Sequence, residues 1–89
     1  MEIIKGKKGL KCTFQENFKP TKKCWNCKGN CRIMFVACEW NEKKGQWLAD
    51  MYNNTGGKKG GKYWVHDACA VAVYLCEKCF ECNAEINQA

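Results

Sequence analysis

The chain has 89 residues and a formal net charge of +6, and nine of its residues are cysteines. This length allows one domain at most, and so short a chain buries too little apolar surface to be stable without a metal ion or disulfides. No apolar run reaches the length of a membrane span, which argues against a membrane protein, while the positive charge favours an anionic partner.

The cysteines favour metal binding over a secreted disulfide scaffold. They stand at positions 12, 24, 27, 31, 38, 69, 76, 79 and 82. Their number is odd, several are separated by two residues, and the first eight residues lack the apolar core of a signal peptide. We therefore expect a zinc protein in a reducing intracellular compartment, the cytoplasm or the nucleus.

The positive charge is unevenly distributed along the chain. Residues 1–23 are predicted to form a basic N-terminal arm or strand, and residues 24–89 the zinc-binding domain. Residues 1–30 carry eight lysines against two glutamates, and residues 58–62 add three lysines within a glycine-rich loop, whereas residues 63–89 are acidic. A merely solvated lysine-rich surface is the alternative to a binding surface here.

Cys24-Trp25-Asn26-Cys27 is predicted to form a zinc knuckle, a tight turn that points two sulfurs at one ion. Gly29 stands two residues later, and glycine accepts the positive φ that such a turn needs. A redox Cys-x-x-Cys is the alternative, but that motif opens a helix, and strand-like residues follow here.

The residues after the knuckle are predicted to form a β-hairpin. Residues 31–40 are rich in β-branched and aromatic side chains, as expected of a strand. A polar turn containing Gly45 follows, and residues 46–52 are predicted to return as the second strand. The glycine- and lysine-rich stretch 53–62 is then a loop.

Residues 66 to about 80 are predicted to form a C-terminal helix, because alanine and leucine are good helix formers. Several side chains in this stretch recur at three- and four-residue steps and so share one helical face, which we expect to pack on the hairpin. They are Cys69, Val73, Cys76 and Phe80.

Two pairs of metal-ligand side chains with two-residue gaps define the predicted zinc site. Three thiolates and one imidazole complete a tetrahedral structural site and leave no position open for a substrate. The predicted ligands are Cys24, Cys27, His66 and Cys69.

A second zinc ion is an open alternative, because further thiols stand close together in the C-terminal tail. Small buried hydrophobic side chains are the other interpretation of these cysteines. The second set of ligands is Cys12, Cys76, Cys79 and Cys82, with Cys31 or Cys38 as replacements for Cys12 or Cys76.

The order of knuckle, hairpin, loop and a helix that supplies two ligands resembles the treble-clef zinc finger, which implies a small α+β zinc-stabilised domain. Within that group, Cys24-x2-Cys27, Arg32 and Trp64-x-His66-x2-Cys69 are similar to the zinc finger of poly(ADP-ribose) polymerases. This resemblance implies binding to DNA ends and breaks through a basic and an apolar surface. LIM domains and extended PHD modules are similar in part, which implies a protein partner instead.

The leading functional hypothesis is nucleic-acid binding, with DNA as the expected partner, because lysines neutralise phosphates without regard to sequence. Trp25 or Trp64 could stack on an exposed base, and packing around the zinc is the alternative for each. A protein-interaction adaptor of the LIM-like or PHD-like type is the second hypothesis. We expect neither an enzyme nor a small-molecule substrate, because the single histidine is assigned to zinc and cannot also act as a base. The predicted nucleic-acid contacts are Lys22, Lys23, Lys28, Arg32, Lys58, Lys59 and Lys62.

Overall fold

The computed structural model describes residues 2–39 and 69–88, which contribute to one antiparallel sheet of five strands. A 3-10 helix, Gly6–Gly9, follows the first strand. No helix in these residues is long and apolar enough to span a membrane. The strands are β1 (Glu2–Lys5), β2 (Thr21–Lys23), β3 (Asn30–Cys38), β4 (Cys69–Cys76) and β5 (Cys82–Gln88).

Strand β3 organises the sheet, because it pairs with three other strands. β1 pairs with residues 35–38 and β2 with residues 30–32, so these two short strands follow one another along the same edge of β3. β4 covers the opposite edge, and β5 pairs with β4 on the outside. Both strands in residues 2–23 therefore belong to the same sheet as β3.

One face of this sheet, here called the front face, carries the buried core. A bulge between Ile33 and Phe35 inserts one extra residue into β3. The bulge shifts the two-residue alternation, so that Val36 and Cys38 share the front face with Ile33 and Cys31. The residues of β4 that lie opposite these four are Tyr74, Ala72, Ala70 and Cys76.

Residues 6–20 cover the front face. Phe18 is buried there, and the hydroxyl of the fully buried Tyr74 donates a hydrogen bond of 2.7 Å to a backbone carbonyl at the end of this segment. Gly9 lies so close to β3 that an added Cβ would be 2.9 Å from the Cβ of Val36. The close approach of this segment therefore requires glycine at that position.

The predicted C-terminal helix over residues 66–80 is wrong where the structure describes it, because Cys69–Cys76 form strand β4. Buried and half-buried positions alternate along most of β4, which is the period of a strand. Val71, Val73 and Tyr74 favour a strand, and pairing with β3 and β5 outweighs the helical propensity of the alanines. The treble clef needs this helix, so it is not confirmed: the described residues form a β-rich domain rather than an α+β one.

The strand predicted over residues 31–40 is confirmed as β3, with bounds that differ by one or two residues. The second strand of the predicted hairpin, residues 46–52, and the loop 53–62 lie outside the described residues. The predicted domain boundary between residues 23 and 24 stays a prediction.

Candidate metal centre

Four cysteine side chains converge at one end of the sheet: Cys24, Cys27, Cys76 and Cys79. Their Sγ atoms all lie within 4.8 Å of one another, and the two contacts between the pairs measure 3.7 Å from Cys24 to Cys79 and 3.4 Å from Cys27 to Cys76. A zinc ion with Zn–S bonds of about 2.3 Å places its sulfurs roughly 3.8 Å apart at the corners of a tetrahedron. The four sulfurs are therefore already close to the arrangement that such an ion requires.

The first two cysteines belong to knuckle 1, residues 24–29, which connects β2 to β3. The Cys24 N–H donates to the carbonyl of Gly29 at 2.8 Å, and the Lys28 N–H donates back to the Cys24 carbonyl at 3.1 Å. These two bonds close a tight turn with both thiols on its inner side. The predicted turn is thus formed, but its positive φ belongs to Lys28 and not to Gly29 as predicted. Glycine fits at position 29 because an added Cβ would lie 3.2 Å from the Cys27 sulfur.

Knuckle 2, residues 76–81, connects β4 to β5 and repeats the same backbone pattern. The Cys76 N–H donates to the carbonyl of Glu81 at 2.9 Å, and the Phe80 N–H donates to the Cys76 carbonyl at 3.1 Å. The two knuckles are therefore equivalent turns at the tips of two hairpins.

The pairing of β3 with β4 brings the knuckles together. Cys31, just after knuckle 1, lies opposite Cys76, the first residue of knuckle 2. The Glu77 N–H also donates to the carbonyl of Asn30 at 3.0 Å. The register of the central strand pair therefore decides which two cysteine pairs share one site.

Backbone and side-chain N–H groups donate hydrogen bonds to all four sulfurs. The backbone donors to Cys24, Cys27 and Cys76 lie 3.4 Å from the sulfur atoms. The side chains of Asn83 and Asn26 add contacts to Cys24 at 3.6 Å and to Cys79 at 3.8 Å. Donors of this kind stabilise thiolates, so the surroundings favour the charged form that binds metal.

The backbone N–H groups lower the pKa values of two of the thiols. The N–H of Cys27 lowers the pKa of Cys24 to about 6, against the opposing effect of burial. The N–H of Cys79 likewise lowers the pKa of Cys76. The N–H of Gly29 also favours the Cys27 thiolate, but the neighbouring Cys76 and burial raise the pKa of Cys27 to about 12. The thiolates that form first thus repel a further negative charge, and Cys27 loses its proton only when a cation binds.

A fifth sulfur, that of Cys31, lies fully buried behind the cluster. Burial, together with the adjacent Cys24 and Cys76, raises the pKa of the Cys31 thiol to about 11. The side chain thus remains a thiol near neutral pH, and it does not belong to the group of four that lie within 4.8 Å. Cys31 is a buried neighbour of the site rather than a ligand.

The structure brings together only part of the predicted set of ligands. Cys24 and Cys27 are at the site, but Cys69 is at the opposite end of β4 from Cys76. The two cysteines are seven residue steps apart along an extended strand, which separates them by roughly 23 Å. At that end of the strand the backbone N–H of Cys69 donates a hydrogen bond to the carboxylate of Glu39 at 2.6 Å. His66 lies outside the described residues.

The predicted second set of ligands is not assembled either. Cys76 and Cys79 join Cys24 and Cys27, whereas Cys82 is exposed at the start of β5 and Cys12, within the segment 6–20, packs against the core. Among residues 2–39 and 69–88, the group of four is the one cluster of potential metal ligands. The Cys76-x2-Cys79 spacing marks these two residues as a candidate ligand pair, but Cys79-x2-Cys82 has the same spacing, so the sequence does not choose between the two pairs.

The predicted nucleic-acid contacts fall into three groups. Lys22 forms an ion pair of 3.3 Å with Glu85, and Arg32 one of 2.8 Å with Glu77. Two further residues are exposed and form no ion pair within the part of the chain that the structure describes: Lys23 and Lys28. The remaining three lie outside it: Lys58, Lys59 and Lys62.

No family model, curated protein or solved structure matches this chain. The chemistry of the four sulfurs therefore carries the functional interpretation. A tetrahedral set of four thiolates is typical of zinc, and also of iron–sulfur centres.

Proposed function

We propose that this chain is a zinc-binding module in which one four-cysteine site stabilises the fold and a basic surface binds nucleic acid. The convergence of the four Sγ atoms is the observation that carries the zinc site. Zinc is the usual ion of structural sites built from four cysteines, and four thiolates leave no coordination position for a substrate. The proposed site is therefore structural, and the proposed function includes no catalysis.

The magnitude of metal binding supports a structural role. Zinc contributes about 10–16 kcal/mol of apparent binding free energy in zinc-finger peptides, which is comparable to the entire net stability of a small domain, about 5–15 kcal/mol. The ion would cross-link the tips of two hairpins, which the pairing of β3 with β4 and a backbone hydrogen bond from Glu77 to Asn30 also hold side by side. Folding of this chain is thus proposed to depend on the metal.

Native mass spectrometry tests the zinc site directly. We expect one zinc ion per chain, and we expect a chelator that removes it to abolish the cooperative thermal transition. A chain that binds no metal and keeps its melting transition in chelator contradicts the proposal.

A basic groove beside β2 supports the proposal that this chain binds nucleic acid. The groove has a volume of about 480 Å³, and its lining includes three lysines, of which Lys19 and Lys23 are exposed and Lys22 is paired with Glu85. A filled zinc tetrathiolate adds two negative charges, so the loaded chain keeps a net charge of +4. Phosphate groups are the anions that such a lysine-lined surface would bind without sequence preference.

Salt dependence tests the nucleic-acid part independently of the metal. Fluorescence anisotropy with short single- and double-stranded DNA, at salt concentrations from about 50 to 200 mM, should show log K falling linearly with log salt. Binding that is absent at low salt, or that does not respond to salt, contradicts this part and leaves the zinc site intact.

A protein-interaction adaptor is the second candidate, and the back face of the sheet favours it. The side chains of Ile3, Ala37, Val71 and Ile86 lie in one row across four strands. The two outer isoleucines are 60% and 62% exposed, and exposed apolar patches often mark contact surfaces. A partner protein that is retained in a pull-down after nuclease treatment would favour this candidate over nucleic-acid binding.

A further inference from the structure

Asn83, the second residue of β5, is a buried polar residue beside the metal centre, with 4% of its surface exposed. Its side-chain oxygen accepts a hydrogen bond from the Trp25 N–H at 2.9 Å. Its side-chain nitrogen donates to the Cys24 Sγ at 3.6 Å and to the carbonyl of Glu81 at 3.3 Å. Both ends of this amide are therefore engaged within the site.

These contacts connect the two knuckles. Trp25 and Cys24 belong to knuckle 1, whereas Glu81 ends knuckle 2, so one side chain holds groups on both turns. Among the residues that the structure describes, the backbone donors to these sulfurs come from within a knuckle. The other side-chain donor, Asn26, is exposed and its contact is longer, at 3.8 Å. Asn83 is thus the buried side-chain donor that reaches the sulfurs from outside both knuckles.

The cost of burying an amide explains why its partners matter. A buried amide that lacks hydrogen-bond partners is destabilising, so an unpaired Asn83 would oppose folding. Tyr74, its neighbour across the strand pair, is an apolar ring fully buried in the core. Asn83 is tolerated in these surroundings because the Trp25 N–H, the Glu81 carbonyl and the Cys24 sulfur supply its hydrogen bonds.

We propose that Asn83 is a positioning residue for the metal centre: its carboxamide fixes the Cys24 sulfur and sets the orientation of knuckle 1 against knuckle 2. This inference rests on the proposed zinc site. Residues that orient metal ligands by hydrogen bonding typically change metal affinity by about 10- to 100-fold when they are replaced. Asn83 raises the affinity of the site for metal by a factor in that range.

The test replaces Asn83 by aspartate, which keeps the oxygen that accepts from Trp25 but replaces the donor that faces Cys24 by a second oxygen. In competition with a chromophoric chelator, N83D should bind zinc about 10- to 100-fold more weakly than the wild type. In the cobalt-substituted protein, loss of the donor should shift the sulfur-to-cobalt charge-transfer band to lower energy, which a general loss of stability would not do.

Asn87→Asp is the matched control, because Asn87 lies on the same strand and the same face four residues away. Its amide contacts the Phe14 N–H and the Thr13 hydroxyl, away from the cysteines. N87D should keep wild-type zinc affinity and the wild-type cobalt spectrum. Equal shifts in both aspartate variants would overturn the inference.

The outcomes separate this inference from the zinc site itself. If the wild type binds neither zinc nor cobalt, the site fails. If the wild type and N83D bind with the same affinity and have the same cobalt band, the site stands and the role of Asn83 is refuted. Should N83D not fold, Asn83→Ser provides the measurement, because its short side chain cannot hold both knuckles: weaker zinc binding supports the inference, and unchanged binding overturns it.

Discussion

Lys28 and Phe80 occupy equivalent positions in the two knuckles, and both have a left-handed backbone, with φ of 65° and 62°. Each residue directly follows the second cysteine of its knuckle. Residues with a Cβ adopt this conformation at a cost of roughly 1–2 kcal/mol, so the sequence does not choose it by local preference. Because both knuckles have this left-handed residue at the same position, we infer that closing the turn around the sulfurs imposes the left-handed backbone.

Glycine at position 80 is expected to stabilise the zinc-loaded protein. Phe80→Gly removes the steric cost of the left-handed backbone, and the greater freedom of glycine in the unfolded chain offsets part of the gain. The Phe80 side chain is 71% exposed, so little packing is lost. We expect the free energy of unfolding to rise by about 0.5–1 kcal/mol, measured by denaturant unfolding with zinc present.

Phe80→Ala controls for the loss of the ring. Alanine keeps the Cβ that the left-handed backbone disfavours, so it should not show the gain that glycine gives. If the glycine and alanine variants unfold at the same denaturant concentration, the backbone at this position is not strained.

The observed set of ligands, with Cys76 and Cys79, and the set predicted from the sequence, with His66 and Cys69, predict opposite results for two cysteine substitutions. Cys76→Ser removes a ligand of the observed cluster and should abolish zinc binding and folding together, because structural zinc supplies folding free energy. Cys69→Ser lies at the other end of β4 and should keep one zinc ion per chain. Native mass spectrometry of both variants decides between the groupings, and zinc loss on Cys69→Ser would support the set that includes His66.

Zinc affinity should fall as the pH falls, because protons compete with the ion for the thiolates. The pKa of Cys27, raised to about 12 by its sulfur neighbour and by burial, means that zinc displaces at least one proton throughout the range from pH 8 to 6. The pKa of Cys24 is lowered to about 6, so its proton is added to the competition only below that pH. Affinity should therefore fall at least about tenfold per pH unit above pH 6 and more steeply below it.

Calorimetry in two buffers that differ in ionisation enthalpy measures the protons released on zinc binding. Release at pH 7 should be one proton or more, and it should increase below pH 6. A zinc affinity that stays constant between pH 8 and 6 would show that the thiols are already ionised in the metal-free protein, contrary to the pKa of Cys27.

The local parts of this structure can be predicted from the sequence, and the long-range parts cannot. Knuckle 1 depends on the Cys24-x2-Cys27 spacing and on Gly29, all within six residues, and the strand that follows is evident from its β-branched and aromatic side chains. The partner of knuckle 1 depends on the register of β3 against β4, which places Cys31 opposite Cys76. Local spacing contains no information on that register.

The prediction of a helix in the second half of the site has a specific cause. Ala70-Val71-Ala72-Val73 alternates small and branched residues, which fits a strand in contact with neighbours on both sides. The same alanines are strong helix formers, and a helix from residue 66 would bring a histidine and Cys69 together. Tertiary pairing outweighs this preference, so β4 carries Cys69 away from the site and Cys76 into it.

Lys22 and Lys23 provide the sharpest test of the basic groove, because they are neighbours on β2 with different ionic partners. The Lys22 ammonium pairs with Glu85 at 3.3 Å and lies 5.6 Å from the centre of the Tyr74 ring, whereas Lys23 is exposed with no ion pair in the described part of the chain. A lysine that is already paired gives up that partner before it can bind a phosphate. The proposed nucleic-acid contact is therefore expected to depend mainly on Lys23.

Lys23→Gln should weaken DNA binding and lower the magnitude of the salt slope by about 0.9, the value for one phosphate contact. Lys22→Gln changes the net charge by the same amount but should leave the slope nearly unchanged. Anisotropy titrations at several salt concentrations compare the salt slopes of the two variants, which have the same net charge. Equal changes in slope would mean that DNA responds to the net charge of the protein rather than to this groove.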